Sequence, residues 1–268
     1  HTTLANGGYI DGFAMAVDEG WGRADGGATV GEGDVYLLGV YSGFGPALGQ
    51  GVDLDAYLLT RAFPKRAADG ATRDGTAEAT VGTRYRDRFG AIDARIEAGY
   101  QLGGRPIAGN TDVANVAAWH ADGEVGANFA GDRARIGLGG FRAGGDDPES
   151  AATDESWAQL YPTAHRWLGQ MDVIAGRTNI QGGVVRANYR PSPAVGVFAD
   201  AHLFYLVEAP DGADKYRGAE VDVGASQRLG RGLTLRQTVG SFLSPSSSDE
   251  DPYLFAEVEL RLAFPLPT

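Results

Sequence analysis

The chain has 268 residues, 41 glycines, no cysteine and a formal net charge of −12. The lack of cysteine excludes disulfides and thiolate metal sites, and an acidic chain without a basic tract argues against nucleic-acid binding. No apolar run approaches the roughly 18 residues that a transmembrane helix needs. A mean hydropathy of −0.21 would normally indicate a soluble protein, but transmembrane strands are apolar on one face only and escape such averages.

The first residues, HTTLANGG, contain neither the charged nor the apolar region of a signal peptide. We therefore expect one of three situations. The chain is cytoplasmic, its targeting segment has been removed, or the sequence lacks its beginning.

Alternation of apolar and polar residues predicts twelve β-strands along the chain. In 76–86, for example, Ala77, Val81 and Tyr85 share one face, whereas Glu78 and Arg84 share the other. The predicted strands are 8–17, 34–41, 52–59, 76–86, 91–101, 113–129, 133–143, 183–190, 194–206, 217–228, 233–242 and 253–264.

The longest of these segments, 113–129, has the dipeptide Asp122-Gly123 near its centre, which is a common hairpin turn. The alternation nevertheless continues in the same register, from Trp119 before the dipeptide to Val125 after it. A turn would usually reset that register. We therefore predict one long strand that projects beyond the hydrocarbon region of a bilayer.

The connections between the predicted strands alternate between two classes. One class is short: SGFGPALGQG, DRFG, AGD, RPSP and LGRG. The other class is long and polar: 18–33, 60–75, 102–112, 144–182, 207–216 and 243–252. Short turns at one end and long loops at the other are typical of outer-membrane barrels.

The last segment, FAEVELRLAF, has an apolar face from Val258 to Phe264 and a charged face that includes Glu257 and Arg261. A soluble sandwich would bury the apolar face, whereas a membrane barrel turns it towards lipid. Loops in sandwiches are not usually sorted by end, and a closed sheet of twelve strands is too wide for small apolar side chains to fill. The pattern favours an all-β, antiparallel transmembrane β-barrel in the bacterial outer membrane, surrounded by lipid and lipopolysaccharide.

The stretch QLYPTAHRWLGQMD, followed by Asn179-Ile180, resembles a motif of the bacterial alginate-export family. Further segments resemble the family in the same order: IDARIEAGYQLGG, FRAGGDD, RPSPAVGVFADAHLF, GAEVDVGASQRLGRGLTL and GSFLSP. The resemblance covers most of 34–264. The matching residues of the loop motif are Tyr161, Pro162, His165, Asp172 and Asn179.

This resemblance implies an outer-membrane channel for hydrophilic, polyanionic solutes, with an alginate-like polyuronate as the substrate. Family barrels have eighteen strands, so we expect 1–268 to be a single barrel domain that matches the C-terminal two-thirds of the family pattern. Six N-terminal strands would then be missing or supplied by a barrel-completing partner. The residues PLPT after Phe264 depart from the terminal aromatic residue of a typical assembly signal.

The charged strand faces supply the candidate pore-lining residues. Arginine suits a uronate because its planar guanidinium can hold a carboxylate with two hydrogen bonds. The alternative is that arginines pair with acidic residues on neighbouring strands and hold the wall together. The candidates are Arg84, Arg86, Arg95, Arg133, Arg135, Arg186, Arg190, Arg228, Arg236, Arg261, Asp93, Glu97, Glu220, Asp222, Glu257 and Glu259.

The segment 144–182 is predicted to be a long extracellular loop, which would fold inward as a constriction or form a partner surface. Its acidic residues, from Asp146 to Glu155, would bind Ca²⁺ or be solvated. His165 would hold the fold of the loop or bind a metal. We assign no cofactor and no metal site.

Catalysis finds little support, because the sequence has neither a Gly-x-Ser-x-Gly elbow nor a His-Glu-x-x-His helix. A barrel lipase would need a Ser–His pair on the outer face, whereas His120 and His202 fall on the charged face. We therefore expect no enzymatic activity. The competing interpretation is a non-conducting barrel that anchors or sheathes a partner protein, which would be periplasmic or complete the barrel.

Overall fold

The computed structural model describes residues 1–5, 7–18, 35–45, 52–68, 71–107, 112–150, 152–160, 165–230, 232–245 and 252–263. Its elements in chain order are β1 (Thr2–Thr3), β2 (Tyr9–Asp18), β3 (Val35–Gly43), β4 (Asp53–Phe63), β5 (Arg66–Ala68), β6 (Ala71–Arg73), β7 (Thr76–Phe89), β8 (Ile92–Pro106), β9 (Val113–Phe129), β10 (Ala134–Ala143), β11 (Thr153–Asp154), α1 (His165–Leu168), β12 (Ile180–Ser192), β13 (Val195–Leu206), β14 (Tyr216–Gly230), β15 (Leu233–Leu243) and β16 (Tyr253–Leu262). Among the described residues, no helix has the length and apolar character required to cross a membrane.

Each of the twelve predicted strands corresponds to one long strand of the structure. They belong to a sheet of fourteen strands with the order β1-β2-β3-β4-β7-β8-β9-β10-β12-β13-β14-β15-β16, in which neighbours follow each other along the chain. β11 joins this sheet by pairing with β9, and β5 and β6 form a separate ribbon. The predicted all-β antiparallel fold is confirmed.

Strand β9 is continuous from Val113 to Phe129, so the prediction of one strand through Asp122-Gly123 is confirmed. Burial alternates along its central part, where Trp119 and Val125 are exposed and His120 and Glu124 are buried. The unbroken parity in the sequence therefore reflects a single pleated strand.

Several strands continue further into the long connections than the sequence predicts. β4 continues to Phe63, β8 continues to Pro106 and β12 begins at Ile180. The ribbon of β5 and β6 also lies inside the predicted loop 60–75. Outside the hydrocarbon layer a strand no longer needs an apolar face, so the alternation fades before the strand ends.

The two faces of the strands are inverted relative to a soluble protein. Val81 and Ile96 are 49% and 57% exposed, and Leu138 and Val223 are 68% and 48% exposed. The opposite faces carry the charged side chains, such as those of Glu78 on β7 and of Glu220 and Asp222 on β14, and these are almost completely buried. Water-soluble sheets bury the apolar face, so this arrangement fits strands whose apolar faces lie in lipid. We call the two sides the apolar face and the charged face.

The chain divides into two compact units. Unit 1 contains His1–Asp87, Arg95–Ala121 and Ala143–Ala158, and unit 2 contains Arg88–Ala94, Asp122–Arg142 and Gln159–Thr268. The buried apolar cluster of unit 1 consists of Val116, Ala118, Ala143 and Trp157. The cluster of unit 2 consists of Phe141, Trp167, Leu168, Ile180, Val184, Phe204 and Phe242. Each cluster thus includes a tryptophan from the connection between β10 and β12.

An arginine at the centre of an apolar face tests the orientation of the strands. Val223 lies in the middle of β14 and is half exposed. We expect Val223→Arg to lower the free energy of unfolding from lipid vesicles by about 2–4 kcal/mol, because a guanidinium is costly at the bilayer midplane. The measurement is denaturant unfolding followed by circular dichroism.

Val223→Leu is the matched control, since it keeps an apolar side chain at the same place. Surface substitutions in a water-soluble protein usually stay within about 0.5 kcal/mol. If Val223→Arg stayed within that range, β14 would not present this face to lipid.

Candidate functional site

The charged face of unit 1 carries ion pairs between directly opposed residues of β4 and β7. The register places Asp55 opposite Arg84 and Arg61 opposite Glu78. The Arg84 guanidinium donates two hydrogen bonds to Asp55 Oδ2. Arg61 Nη2 lies 2.7 Å from Glu78 Oε1 and 2.9 Å from Glu78 Oε2. Both carboxylates are almost completely buried, and the pairing compensates for part of their desolvation.

Arg105 of β8 connects this charged face to the segment 153–158. Arg105 Nε donates to Glu78 Oε2 at 2.6 Å, and Nη1 donates to Asp154 Oδ2 at 2.7 Å and to the carbonyl oxygen of Ser156 at 3.0 Å. A single guanidinium therefore holds both the strand wall and the returning connection.

Gln101, also on β8, binds the same segment through its side-chain amide. Its Oε1 accepts a hydrogen bond from the Ala158 N–H at 2.9 Å, and its Nε2 donates to the Ala158 carbonyl oxygen at 2.7 Å. Trp157 next to it packs on His120 with ring centroids 4.2 Å apart. A Cβ added to Gly99 would come within 3.1 Å of the Trp157 ring. The segment 153–158 thus lies against the charged face of β8 and β9 in unit 1.

The edge of this segment is acidic. Oδ1 of Asp146 accepts a hydrogen bond from the Glu155 N–H at 3.2 Å. Partial desolvation raises the pKa of the Asp146 carboxyl above its ordinary value, and the Asp154 and Glu155 carboxylates act in the same direction. Within the described ranges, no group of three or more His, Asp or Glu side chains is arranged to hold a metal ion.

In unit 2, three arginines converge on the buried carboxylate of Glu124. Arg135 Nη1 lies 2.7 Å from Glu124 Oε1, Arg166 Nη2 lies 3.2 Å from Oε2, and Arg186 Nη1 also donates to Oε2. Arg135 additionally pairs with Asp93 at 2.5 Å. Because Arg166 belongs to the helix α1, this cluster joins the loop to β9, β10 and β12.

The segment 165–172 packs on the charged face of unit 2. The N–H of Met171 donates to Glu220 Oε1 at 2.9 Å, and the N–H of Gln170 donates to Asp222 Oδ2 at 3.3 Å. Gly169 has a φ of +86°, and a Cβ there would overlap the Glu220 carboxylate. Two strand carboxylates therefore bind the loop through its backbone, at a place that only glycine fits.

Aromatic contacts add to this attachment. Trp167 is buried next to Phe141, with ring centroids 5.9 Å apart. The guanidinium carbons of Arg166 and Arg186 each lie 5.4 Å from the Trp167 ring. His202 Nδ1 lies 3.3 Å from the carbonyl oxygen of Trp167. The loop is thus fixed by apolar, cation–π and polar contacts together.

Three residues of the predicted loop motif are described, and they make polar contacts within the loop and with the backbone of Glu208. His165 Nδ1 lies 3.2 Å from the Gly169 carbonyl oxygen and 3.5 Å from Asp172 Oδ1. Asn179 has a φ of 52°, and its side chain exchanges two hydrogen bonds with the backbone of Glu208, at 3.0 and 2.8 Å. Tyr161 and Pro162 lie outside the described residues.

Most of the predicted arginines have a carboxylate partner. Besides the pairs given above, Arg86 contacts Asp53, Arg95 contacts Glu97, and both Arg236 and Arg261 contact Glu259. Asp93 also accepts a hydrogen bond from Asn128 at 2.6 Å. The exposed Glu257 has no hydrogen-bond or ion-pair partner in the part of the chain that the structure describes.

Three of the predicted arginines lack an acidic partner among the described residues: Arg133, Arg190 and Arg228. Arg133 donates to the Ala130 carbonyl oxygen at 3.0 Å, and the backbone N–H of Arg190 donates to the Arg133 carbonyl oxygen. Arg133 and Arg190 line a cavity of about 550 Å³ at the short-turn end of unit 2. Its charged lining residues are Arg88, Asp132, Arg133, Arg135, Arg190 and Arg236.

Four arginines of these networks were not among the sequence candidates: Arg61, Arg105, Arg166 and Arg177. Arg177 Nη2 lies 3.0 Å from the buried Asp122 Oδ2. Arg61 and Arg105 keep the parity of Asp55 and Gln101, so extending the alternation beyond the predicted strand ends would have found them. Arg166 lies in the short helix α1 and Arg177 in the irregular chain after it, and neither belongs to a segment with a periodic pattern.

Comparison with solved structures shows likeness to outer-membrane proteins. The crystal structure of Acinetobacter baumannii OccAB2 superposes with a TM-score of 0.54 at 14% sequence identity, covering 85% of this chain and 54% of that one. This likeness concerns the fold, and the chain spans about half the length of OccAB2.

Two phospholipase structures also match, with TM-scores of 0.36. They are outer membrane phospholipase A from Escherichia coli, at 11% identity with 97% of each chain covered, and the calcium-bound Salmonella typhi outer membrane phospholipase dimer, at 13% identity with 96% of this chain and 90% of that one covered. Likeness at this level supports no conclusion about activity. No curated protein matches the sequence.

The sequence match to a protein family is more specific. The alginate export family matches residues 41–246, which is more than half of the chain. This range includes the loop motif and the strands that carry both ion-pair networks. The chain therefore belongs to the alginate export family and is an outer-membrane β-barrel protein of the bacterial envelope.

Proposed function

We propose that the protein is an outer-membrane channel for a hydrophilic, polyanionic polysaccharide such as an alginate-like polyuronate, and that its 144–182 loop narrows the path. The observation that carries the proposal is the position of the loop. Segment 153–158 binds the charged face through Gln101 and Arg105, and segment 165–172 binds it through Glu220 and Asp222. A loop held on the charged side of the wall would constrict a water-filled lumen.

The ion pairs give the proposed path a polar but largely neutralised wall. Carboxylate–guanidinium pairs such as Asp55–Arg84 and Glu124–Arg186 satisfy each other, so they leave little net charge to hold a polymer. Arg133 and Arg190 lack such partners among the described residues, and we assign them to the contact with substrate carboxylates. Few and weak contacts suit a conduit, because a polymer must leave each site to move on.

The proposed partners of the barrel are lipid, lipopolysaccharide and a protein. The apolar faces would contact outer-membrane lipid and lipopolysaccharide. A periplasmic protein, or one that completes the barrel, is the proposed protein partner, and no nucleic-acid partner is proposed.

The proposal assigns no catalytic step. His120 packs on Trp157, and His202 Nδ1 faces a backbone carbonyl, and we assign neither histidine a catalytic role. The proposed function is therefore transport without catalysis.

A non-conducting barrel that anchors or sheathes a partner is the second candidate. The firm attachment of the loop favours it, because Trp167 and Leu168 are fully buried against the strands of unit 2. In this second candidate the attached loop would fill the lumen, whereas in the first it would leave a passage.

Single-channel recording of the purified chain in planar lipid bilayers separates these two functions. We expect stable conductance steps that oligo-uronate blocks in a concentration-dependent way, because the charged face would line the path. A folded, inserted chain that gives no steps would support the non-conducting barrel instead.

Removing the two strand carboxylates should release the loop. In Glu220→Ala/Asp222→Ala, the N–H groups of Met171 and Gln170 lose their acceptors, at a cost of about 1–3 kcal/mol for each buried donor left unpaired. We expect larger conductance steps and faster tryptic cleavage within 165–177.

Glu257→Ala is the control for this variant. It also removes a strand carboxylate, but one that is exposed and has no hydrogen-bond or ion-pair partner among the described residues. Glu257 has no contact with the loop among the described residues, so cleavage within 165–177 should stay at the level of the unmodified chain. Equal effects of both changes would show that the loop does not depend on Glu220 and Asp222.

Charge reversal of the arginines without acidic partners should alter ion selectivity. We expect Arg133→Glu/Arg190→Glu to shift the reversal potential in a KCl gradient towards cations, because both side chains line the cavity at the short-turn end. Arg84 and Arg95 are poor probes, since each already contacts a carboxylate.

Arg217→Glu is the matched control, because Arg217 is exposed near the start of β14 and does not line this cavity. An unchanged reversal potential in Arg133→Glu/Arg190→Glu would remove these two arginines from the proposed path.

A further inference from the structure

Three aromatic side chains of unit 1 form a line across neighbouring strands on the charged face. Tyr41 of β3 lies between Phe13 of β2 and Tyr57 of β4. The ring centroids are 6.4 Å apart for Phe13–Tyr41 and 5.3 Å apart for Tyr41–Tyr57, with interplanar angles of 22° and 32°. All three residues are half-buried. We call this set the aromatic row.

Glycines on the adjacent strands make room for the outer two rings. A Cβ at Gly39 of β3 would overlap the Phe13 ring, and a Cβ at Gly82 of β7 would overlap the Tyr57 ring. Each ring therefore lies over the backbone of the next strand. Lying against the wall in this way limits the freedom of the rings and keeps part of each accessible.

The surroundings of the aromatic row are polar but locally paired. The Tyr57 hydroxyl donates to Glu97 Oε1 at 3.2 Å, and Glu97 also contacts Arg95. Asp55, two residues before Tyr57 on β4, is paired with Arg84. The Tyr41 hydroxyl has no hydrogen-bond partner in the described part of the chain. Apolar ring surface thus lies beside the partly exposed carboxylate of Glu97 and one unused hydroxyl, whereas Asp55 is buried.

This combination matches the chemistry of a sugar ring. A pyranose has C–H groups on its faces and hydroxyl groups around its edge. The faces of aromatic rings carry partial negative charge and attract polarised C–H groups, whereas carboxylates and tyrosine hydroxyls accept hydrogen bonds from sugar hydroxyls.

We propose that the aromatic row is a stacking site for sugar rings, which recognises the ring face and the hydroxyl groups independently of any carboxylate. The inference rests on the proposed polysaccharide conduit and adds a second mode of contact to it. Arg133 and Arg190 would select acidic groups, whereas Phe13, Tyr41 and Tyr57 would hold the sugar backbone. A row of adjacent rings would let the chain slide from one ring to the next.

Binding of oligosaccharides to the folded chain in detergent micelles tests the proposal. The probes are a neutral glucose hexasaccharide and an oligo-uronate of equal length. Saturation-transfer NMR detects the binding of each probe, and calorimetry measures its affinity. We expect both probes to bind. In Phe13→Ala/Tyr41→Ala, the affinity for both should fall by about tenfold or more, since two stacking contacts are lost.

Tyr41→Phe and Tyr36→Ala are the controls. Tyr41→Phe keeps the ring, so the affinity should stay within about threefold of the unmodified chain, the loss being one hydroxyl contact. Tyr36 is exposed on the opposite face of β3, and its replacement should leave the affinity unchanged. Circular dichroism and heat-modified electrophoretic mobility confirm that each variant folds. If Phe13→Ala/Tyr41→Ala fails to fold, Tyr41→Ser replaces it, because this single change removes the central ring and leaves Phe13 and Tyr57 in place.

Two results would overturn the stacking site: a neutral probe that fails to bind the unmodified chain, or ring-deletion variants that bind like it. The binding measurement does not require an open path. A chain that binds neutral sugar but gives no conductance would therefore refute the conduit and keep the stacking site. Conductance without neutral-sugar binding would do the opposite.

Discussion

Pairing between guanidinium and carboxylate groups on one side of each strand is the interaction on which the rest of the structure depends. Lipid occupies the other side, so Val81, Leu138 and Val223 are exposed and the charged residues point away from them. A carboxylate such as Glu124 is then removed from bulk water and needs partners. Arg135, Arg166 and Arg186 supply them, and in doing so they join separate strands and a loop into one network.

The same requirement explains how an irregular connection becomes part of the wall. A loop that folds over buried polar groups has to satisfy its own backbone as well as those groups. Gln101 meets both needs by bonding to the N–H and the carbonyl oxygen of Ala158. Arg105 donates to the Asp154 carboxylate and to the Ser156 carbonyl oxygen. The β-wall and the loop therefore stabilise each other, although the loop has only the short elements β11 and α1 as regular structure.

The strands and their inside–outside orientation could be predicted from the sequence, because lipid imposes a strict period of two on residues such as Glu78 and Val81. The strand ends were predicted too short, although Arg61 and Arg105 continue the parity of Asp55 and Gln101. The docking of 165–172 on Glu220 and Asp222 could not be predicted from the sequence either. Its donors are backbone N–H groups, which leave no signal in the choice of residues. The aromatic row was missed for another reason. Parity places Tyr41 and Tyr57 on the charged face, but the candidate residues were selected by charge, which tyrosine lacks.

The attachment of the loop by its backbone has a consequence for how this region can diverge. Glu220 and Asp222 bind the N–H groups of Met171 and Gln170, which every residue except proline possesses. The side chain of Gln170 could therefore change over evolutionary time without loss of the attachment. Gly169 could not, because a Cβ would overlap Glu220, and Met171 also packs on the buried cluster of unit 2. Descendants of such a chain could acquire new loop surfaces, and with them new substrates, while the same backbone hydrogen bonds hold the loop.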